Sequence, residues 1–232
     1  MAIRRYVSQS IFHIVMDRPP HNALDTEMYE SLTAAFAEAS ADQVIVLSSA
    51  ARHFSAGQDL NELQRERTYA EQVQDLHTGA GAIFAALRCQ APIVAAVHGA
   101  AIGAGALLAC AADVLILSED AWLKLPELQV GVPIGAPVAA RVLGGPLSRR
   151  MLLTAEPVQA MTLGAMGAAT VVKRNDLEQT AAEVASKILA MQPNLLSFAR
   201  KMWGMNERES AAELYQAEID EFLKLGLNHS PE

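Results

Sequence analysis

The segment from Ala91 to Glu127, APIVAAVHGAAIGAGALLACAADVLILSEDAWLKLPE, constrains the fold more than any other part of the chain. Pro92 opens it, and the apolar run Ile93 to Val97 has the length and flanking signals of a buried strand. His98 and Gly99 break the run, and Gly103, Ala104 and Gly105 lead the backbone into a helix with no bulky side chain in the way. Leu107, Leu108 and Cys110 continue that helix as an apolar element, and Asp113 precedes a second apolar strand, Val114 to Leu117. The order is strand, glycine-rich turn, buried helix, strand. Such a turn leaves the first N–H groups of the helix without intrahelical partners, and they can hold negative charge.

The spacing Gly99, Gly103, Gly105 does not fit the G-x-G-x-x-G of a dinucleotide site, and Gly105-Ala106-Leu107 stands where a phosphate loop needs G-K-[ST]. No basic side chain is near. An uncharged, apolar helix mouth suits a transient oxyanion, such as a thioester enolate, better than a resting phosphate.

A chain of 232 residues with 51% hydrophobic composition can form one domain or two small ones around a sizeable core. A net charge of −8 and a pI near 5.3 argue against nucleic acid as a partner, because phosphate binding draws on clustered Lys and Arg. Arg149-Arg150 and Lys173-Arg174 read as solvated helix ends. Cys89 and Cys110 lack metal-ligand spacing and read as buried thiols in a reducing compartment. No metal site is expected. Ser8, Gln9, Ser10 and His13 interrupt the apolar stretch behind Arg4 and Arg5, so it does not read as a signal sequence. No 18-residue apolar run is free of turn residues, so no membrane span is expected and the protein reads as cytoplasmic.

Along the chain, Ile11 to Met16 reads as a strand closed by Pro19-Pro20, and Asp25 or Thr26 as the cap of a helix carrying Met28, Leu32, Ala35, Phe36 and Ala39. Val44 to Leu47 is a wholly apolar strand, as in a sheet covered on both faces. Residues 48 to 60 form a loop of small residues with Phe54 as its anchor, expected on the same sheet edge as the Gly103 turn. The polar stretch 61 to 80 reads as mobile, with a helix from about Ala80 to Arg88. Ala139 to Leu143 starts a helix that Gly144-Gly145-Pro146 ends, and two further helices cover Ser148 to Leu153 and Met161 to Met166. From Asp176 onward three helices are expected. Asp176 caps the first, Pro193 occupies the first turn of the second, and Asn206 with Glu209 caps the third, whose apolar face holds Leu214, Phe222 and Leu225. The division is an α/β core over residues 1–172 and a helical C-terminal region over 173–232, whose apolar faces need either the chain's own core or a neighbouring subunit.

Five pieces in register carry a family resemblance. They are Asn22-Ala23-Leu24; Phe54-Ser55-Ala56-Gly57-Gln58-Asp59-Leu60; Pro92 through Gly99; Ala101-Ile102-Gly103-Ala104-Gly105; and Pro126-Glu127 followed by Gly131. The chain resembles the crotonase superfamily of enoyl-CoA hydratases, isomerases and relatives along nearly its whole length. The resemblance implies a spiral of β-β-α repeats with a C-terminal helical region, packed as homotrimers or dimers of trimers. It implies an acyl-CoA thioester substrate, with coenzyme A as part of that substrate and no separate cofactor. The thioester oxygen would rest on two backbone N–H groups, which carry over to Gln58 and Ala104. Ala56, Gly57, Asp59 and Leu60 would line the CoA along their loop, and Gly103, Leu107 and Pro126 the reacting end. Lys201 is similar to a C-terminal lysine that approaches a CoA phosphate, and a solvated helix lysine explains it equally well.

One departure decides the chemistry that the resemblance implies. A hydratase of this family uses two glutamates, one to activate water and one to handle the α-carbon proton. Here Glu127 keeps the Pro-Glu position, but the helix position is Leu107, one turn beyond Ala104 and facing the same site. A lone glutamate suits a Δ3,Δ2-enoyl-CoA isomerase, with Glu127 as catalytic base and acid in an apolar pocket that raises its pKa. Glu62 and Glu66 could swing in from the polar stretch as a second acid, whereas Gly135 stands where some relatives carry an aspartate. Asp59 reads as tying its own loop to backbone amides. Two other readings compete: an acyl-CoA-binding protein without turnover, and a serine hydrolase built on Ser55, His53 and His98, for which no G-x-S-x-G is present.

Overall fold

The computed structural model describes residues 2–226; the last six residues of the expected 173–232 region lie outside the described residues. The chain opens with a hairpin, β1 (Ile3–Ser8) and β2 (Ile11–Met16), followed by β3 (Ala23–Leu24), α1 (Thr26–Glu38), β4 (Val44–Ser49) and β5 (Gly57–Gln58). The single turn α2 (Leu60–Leu63) and the long α3 (Tyr69–Arg88) lead into β6 (Ile93–Val97), β7 (Ala100–Ile102) and α4 (Ala104–Ala111). Then come β8 (Val114–Ser118), β9 (Trp122–Lys124), a 3-10 turn over Glu127–Val130, α5 (Ala136–Thr154), β10 (Val158–Gln159), α6 (Ala160–Ala165) and β11 (Thr170–Val172). Three helices follow, α7 (Leu177–Leu189), α8 (Pro193–Asn206) and α9 (Arg208–Leu225).

The main sheet runs β1-β2-β4-β6-β8-β11, parallel throughout except for the β1–β2 hairpin at its edge. β2, β4, β6 and β8 are each followed by a short strand that leaves this sheet and pairs elsewhere, β3 with β5 and β7 with β9. A helix then returns the chain, so the repeat is β-β-α, the expected spiral. Strand alternation divides the core. Ile45, Leu47, Ile93, Ala95 and Val97 face the large cluster with Leu32, Phe36, Ile83, Leu87 and Leu108 from α1, α3 and α4. Val44, Val46, Val94 and Ala96 face the other way, onto Leu177, Ala181 and Ala185 of α7.

The apolar faces of α7 and α9 are therefore satisfied within the chain. Ala212, Tyr215, Ile219 and Phe222 of α9 belong to the large cluster. The expected stripe through Leu214 and Leu225 is corrected, because those residues are exposed and the buried face follows 211, 215, 219 and 222. α8 differs. Leu195, Phe198, Met202, Trp203 and Met205 on it are all exposed.

Several local expectations change. α3 starts at Tyr69, not Ala80, behind a capping box in which Thr68 Oγ1 accepts from Glu71 N and Glu71 Oε2 accepts from Thr68 N at 2.7 Å. The Gly144 break is a kink inside α5, at φ 66°. Asp176 stands at the start of α7 but makes no side-chain cap, because a 3-10 turn over Arg174–Asp176 leads in. Asn206 ends α8, and α9 starts at Arg208 with no side-chain cap. Asp25 caps α1 as expected, accepting from Met28 N at 2.9 Å.

Candidate active site

The site is assembled where β6 gives way to β7 and α4. Gly103 has φ 53° and ψ −125°, a conformation open to glycine, and it precedes α4 with no side chain to cap it. The first amides of α4, Ala104 included, lie at the positive end of the helix without intrahelical acceptors. A Cβ on Gly103 would stand 2.9 Å from Glu127 Oε1, so the glycine is what lets this carboxyl close on the turn.

The loop before β5 is pressed onto the same turn. Ser55 N donates to Ala100 O at 3.1 Å and Ile102 N to Ser55 O at 3.0 Å. A Cβ on Gly57 would lie 2.6 Å from Ile102 O and 3.6 Å from Gly103 Cα, so residues 57 and 103 meet backbone to backbone. Asn22, fully buried, holds the base of the loop: its Nδ2 donates to Ser49 Oγ at 2.7 Å and Phe54 O at 3.1 Å, and its carbonyl accepts from Ser55 Oγ at 2.7 Å. Residues 91 to 112 are all buried except the half-exposed Ile102 and Ala104, and on the facing loop Ala56 and Gln58 are half-exposed between buried Ser55, Gly57 and Asp59. The residues next to Gln58 and Ala104 thus pack together while these two stay open.

Glu127 follows β9 through Pro126, and its carbonyl accepts from Val132 N at 2.9 Å. The side chain is 8% exposed, and Oε2 has no hydrogen-bond partner among the described residues. Burial pushes its pKa up to about 8, against the smaller pull of a backbone hydrogen bond. Leu107 is buried one turn along α4 from Gly103, and its Cδ1 lies 2.8 Å from where a Cβ on Gly135 would stand. The chemical content at the turn is the raised Glu127 carboxyl, an apolar wall and free helix amides.

The other expected residues are distributed unevenly. Asp59 is buried and ties its loop down: Oδ2 meets Arg18 Nη2 at 2.7 Å and Oδ1 accepts from Asn61 N at 2.9 Å. Leu60 is exposed beside it, and Pro126 is half-buried beside Glu127. Lys201 is exposed on α8 and stands apart from this cluster: the adjacent Arg200 binds Asp113 Oδ2 at 3.0 Å and Cys89 O at 2.6 Å, at the entrance of β6 and not at its exit. Glu62 does not swing toward Glu127, because Oε2 accepts from Thr26 N at 3.0 Å at the start of α1. Ser55 is fully buried with its hydroxyl given to Asn22 O and accepting from Gly57 N, while His53 Nδ1 accepts from Ala100 N at 3.2 Å. That arrangement gives the hydrolase reading no free nucleophile at Ser55. Among the described residues no cluster of His, Cys, Asp and Glu is grouped to hold a metal ion.

Sequence reasoning missed Glu218. Its Oε2 accepts from Gly135 N at 2.7 Å, which brings a carboxylate from the last helix to the loop beside Leu107. The signal was available, since residue 218 flanks the stripe 211, 215, 219, 222 on α9.

With this geometry in place, comparisons with known proteins define the class. The enoyl-CoA hydratase/isomerase family model matches residues 6–230. A hydrolase of Mycobacterium tuberculosis acting on (7aS)-7a-methyl-1,5-dioxo-2,3,5,6,7,7a-hexahydro-1H-indene-carboxyl-CoA is 33% identical over 196 residues, covering 82% of this chain and 79% of that protein. The 2,3-dehydroadipyl-CoA hydratase of Escherichia coli K12 is 32% identical over 202 residues, covering 83% and 78%. An enoyl-CoA hydratase/isomerase structure from Xanthobacter autotrophicus Py2 superposes with a TM-score of 0.90 at 24% identity, over 100% of this chain and 89% of that one, which shows the shared fold. The chain belongs to the enoyl-CoA hydratase/isomerase family of acyl-CoA enzymes.

Proposed function

We propose that this chain is an acyl-CoA enzyme that moves a proton along an enoyl thioester, as a Δ3,Δ2-enoyl-CoA isomerase does. Glu127 takes a proton from C2, the dienolate oxygen rests on the N–H groups of Gln58 and Ala104, and the same carboxyl returns the proton at C4. The observation that carries this reading is the pairing of an unpartnered, buried Glu127 with Leu107 on α4. A carboxyl with a pKa pushed up to about 8 is basic enough to accept the proton and acidic enough to return it. Coenzyme A enters as part of the substrate along Ala56, Gly57, Asp59 and Leu60, with no further cofactor.

The exposed apolar residues Leu195, Phe198, Met202, Trp203 and Met205 of α8 support assembly as homotrimers or dimers of trimers, which sedimentation velocity would measure. No described helix is long and apolar enough to cross a membrane. The deciding experiment runs 3-enoyl-CoA and crotonyl-CoA side by side in D2O. Deuterium at C4 without 3-hydroxy product supports isomerisation; 3-hydroxy product points to hydration with a non-standard second acid. No exchange and no product with retained CoA binding points to a binding protein, the reading that Leu107 favours second.

A further inference from the structure

The stretch from Glu127 to Gly135 is a strap whose two ends are both engaged at the site. At one end Glu127 Oε1 closes on the Gly103 turn. At the other, Gly135 begins α5: its carbonyl accepts from Ala139 N at 3.1 Å and its φ is 107°. Between them the backbone bonds are all short-range: Gln129 N and Val130 N donate to Pro126 O, Gly131 N and Val132 N to Glu127 O, and Ile134 N to Val132 O. Leu128, Val130 and Gly131 are exposed, so the middle of the strap has little packing to hold it. The long-range tie is at Gly135, whose amide donates to Glu218 Oε2 at 2.7 Å across 83 residues of chain. The same glycine lies against Leu107, so the strap's end forms the apolar wall together with that side chain.

We propose that Glu218 is a positioning residue: by accepting the Gly135 amide it pins the strap against Leu107 and thereby fixes where the base at the other end of the strap stands. The acceptor comes from α9, which is itself seated in the core through Tyr215, Ile219 and Phe222. That seat makes the tie rigid. The carboxylate also lies at the N-terminal end of α5, where the helix dipole favours it. Burial raises the pKa of Glu218, with the Gly135 hydrogen bond opposing, in keeping with a carboxyl held inward by a specific contact and not a solvated one. A loosened strap would leave substrate affinity largely intact and misplace Glu127, which lowers the maximal rate more than it alters KM.

This rests on the role proposed above for Glu127, and the test separates the two. Glu218→Gln keeps an oxygen acceptor, Glu218→Met keeps the volume without one, and Glu218→Ala keeps neither. Hydrogen exchange at the peptide covering 128–139 is expected to speed up at least ~10-fold in Glu218→Met, with protection over 93–112 unchanged, while Glu218→Gln stays near wild type. In the C2 deuterium-exchange assay Glu218→Met should lose about 10-fold in maximal rate with KM within ~3-fold, and Glu218→Gln should recover most of it. If Glu218→Ala does not fold, the Gln and Met variants carry the comparison. Unchanged strap protection in Glu218→Met overturns the proposal, as does an unchanged rate with a loosened strap or a Gln variant as impaired as Met. Full C2 exchange in Glu127→Gln would overturn the role of the base, whereas the strap measurement reports on Glu218 alone.

Discussion

Two buried carboxylates flank the site, and their surroundings are opposite. Asp59 is 5% exposed and Glu127 8%, so both are nearly sealed from water. Burial raises Asp59, but the Arg18 guanidinium and the Asn61 amide outweigh it and hold the carboxyl below its ordinary range. Glu127 has no cation beside it and its Oε2 has no hydrogen-bond partner among the described residues, so burial outweighs the one backbone hydrogen bond and its pKa moves up to about 8. Similar exposure therefore yields a tied, lowered carboxyl in one loop and a raised one in the other, and what separates them is that Glu127 lies deeper in the protein while the charge of Asp59 is met by a cation.

The comparison can be broken most directly at Glu127. Glu127→Gln should lower C2 deuterium exchange by about 10³-fold with CoA binding retained, and an unchanged rate would remove this carboxyl from the chemistry. The next effect is on stability. A group raised from about 4.5 to about 8 on folding destabilises the native state as pH climbs through that interval, because the unfolded chain releases the proton first. The advantage of Glu127→Gln over wild type in chemical denaturation should then be absent near pH 4, grow through the window and level off above pH 8, at up to ~4 kcal/mol. Asp59→Asn should show the reverse limb. The stability that Asp59 adds is present above its ordinary pKa and lost as pH falls through its lowered one, so the variant should be weaker by about 2–3 kcal/mol at pH 7 and converge with wild type in acid. A smaller effect is the pH–rate profile: exchange should rise about 10-fold between pH 7 and pH 9 as Glu127 ionises, and a flat profile would mean that the base does not titrate in this interval. Smallest of all, Lys201→Ala, on exposed α8, should change the exchange rate of its own chain less than about 2-fold.

Much of this was legible because the relevant signals are local. The apolar run 93–97, the glycines at 99, 103 and 105 and the second run 114–117 read as strand, turn, helix and strand, and β6, α4 and β8 follow that order, while the three-residue β7 lies inside the expected turn. Gln58, Ala104, Leu107 and Glu127 were recognisable as motif positions, and the turn geometry around Gly57 and Gly103 gives those motifs a physical reason. β1 was not legible, since five of its six residues are exposed and Ile3 alone is buried, leaving no alternation to detect; its arginines instead protect a sheet edge. The first half of α3 was obscured by polarity, although Thr68 and Glu71 spelled its cap. For Glu218 the helical stripe on α9 shows only that the residue flanks a buried face; its partner, the Gly135 amide, depends on where α9 docks, and that is set by packing among residues far apart in sequence.

The contact between Leu107 and Gly135 has a historical consequence. A side chain at 135 would collide with Leu107 Cδ1 at 2.8 Å and Cδ2 at 2.9 Å, so the two positions are epistatic. An acidic residue introduced at 135 by any lineage or laboratory selection has to turn the Leu107 side chain aside and also take up a φ of 107° that glycine alone adopts without strain, so a smaller residue at 107 relieves only one of the two costs.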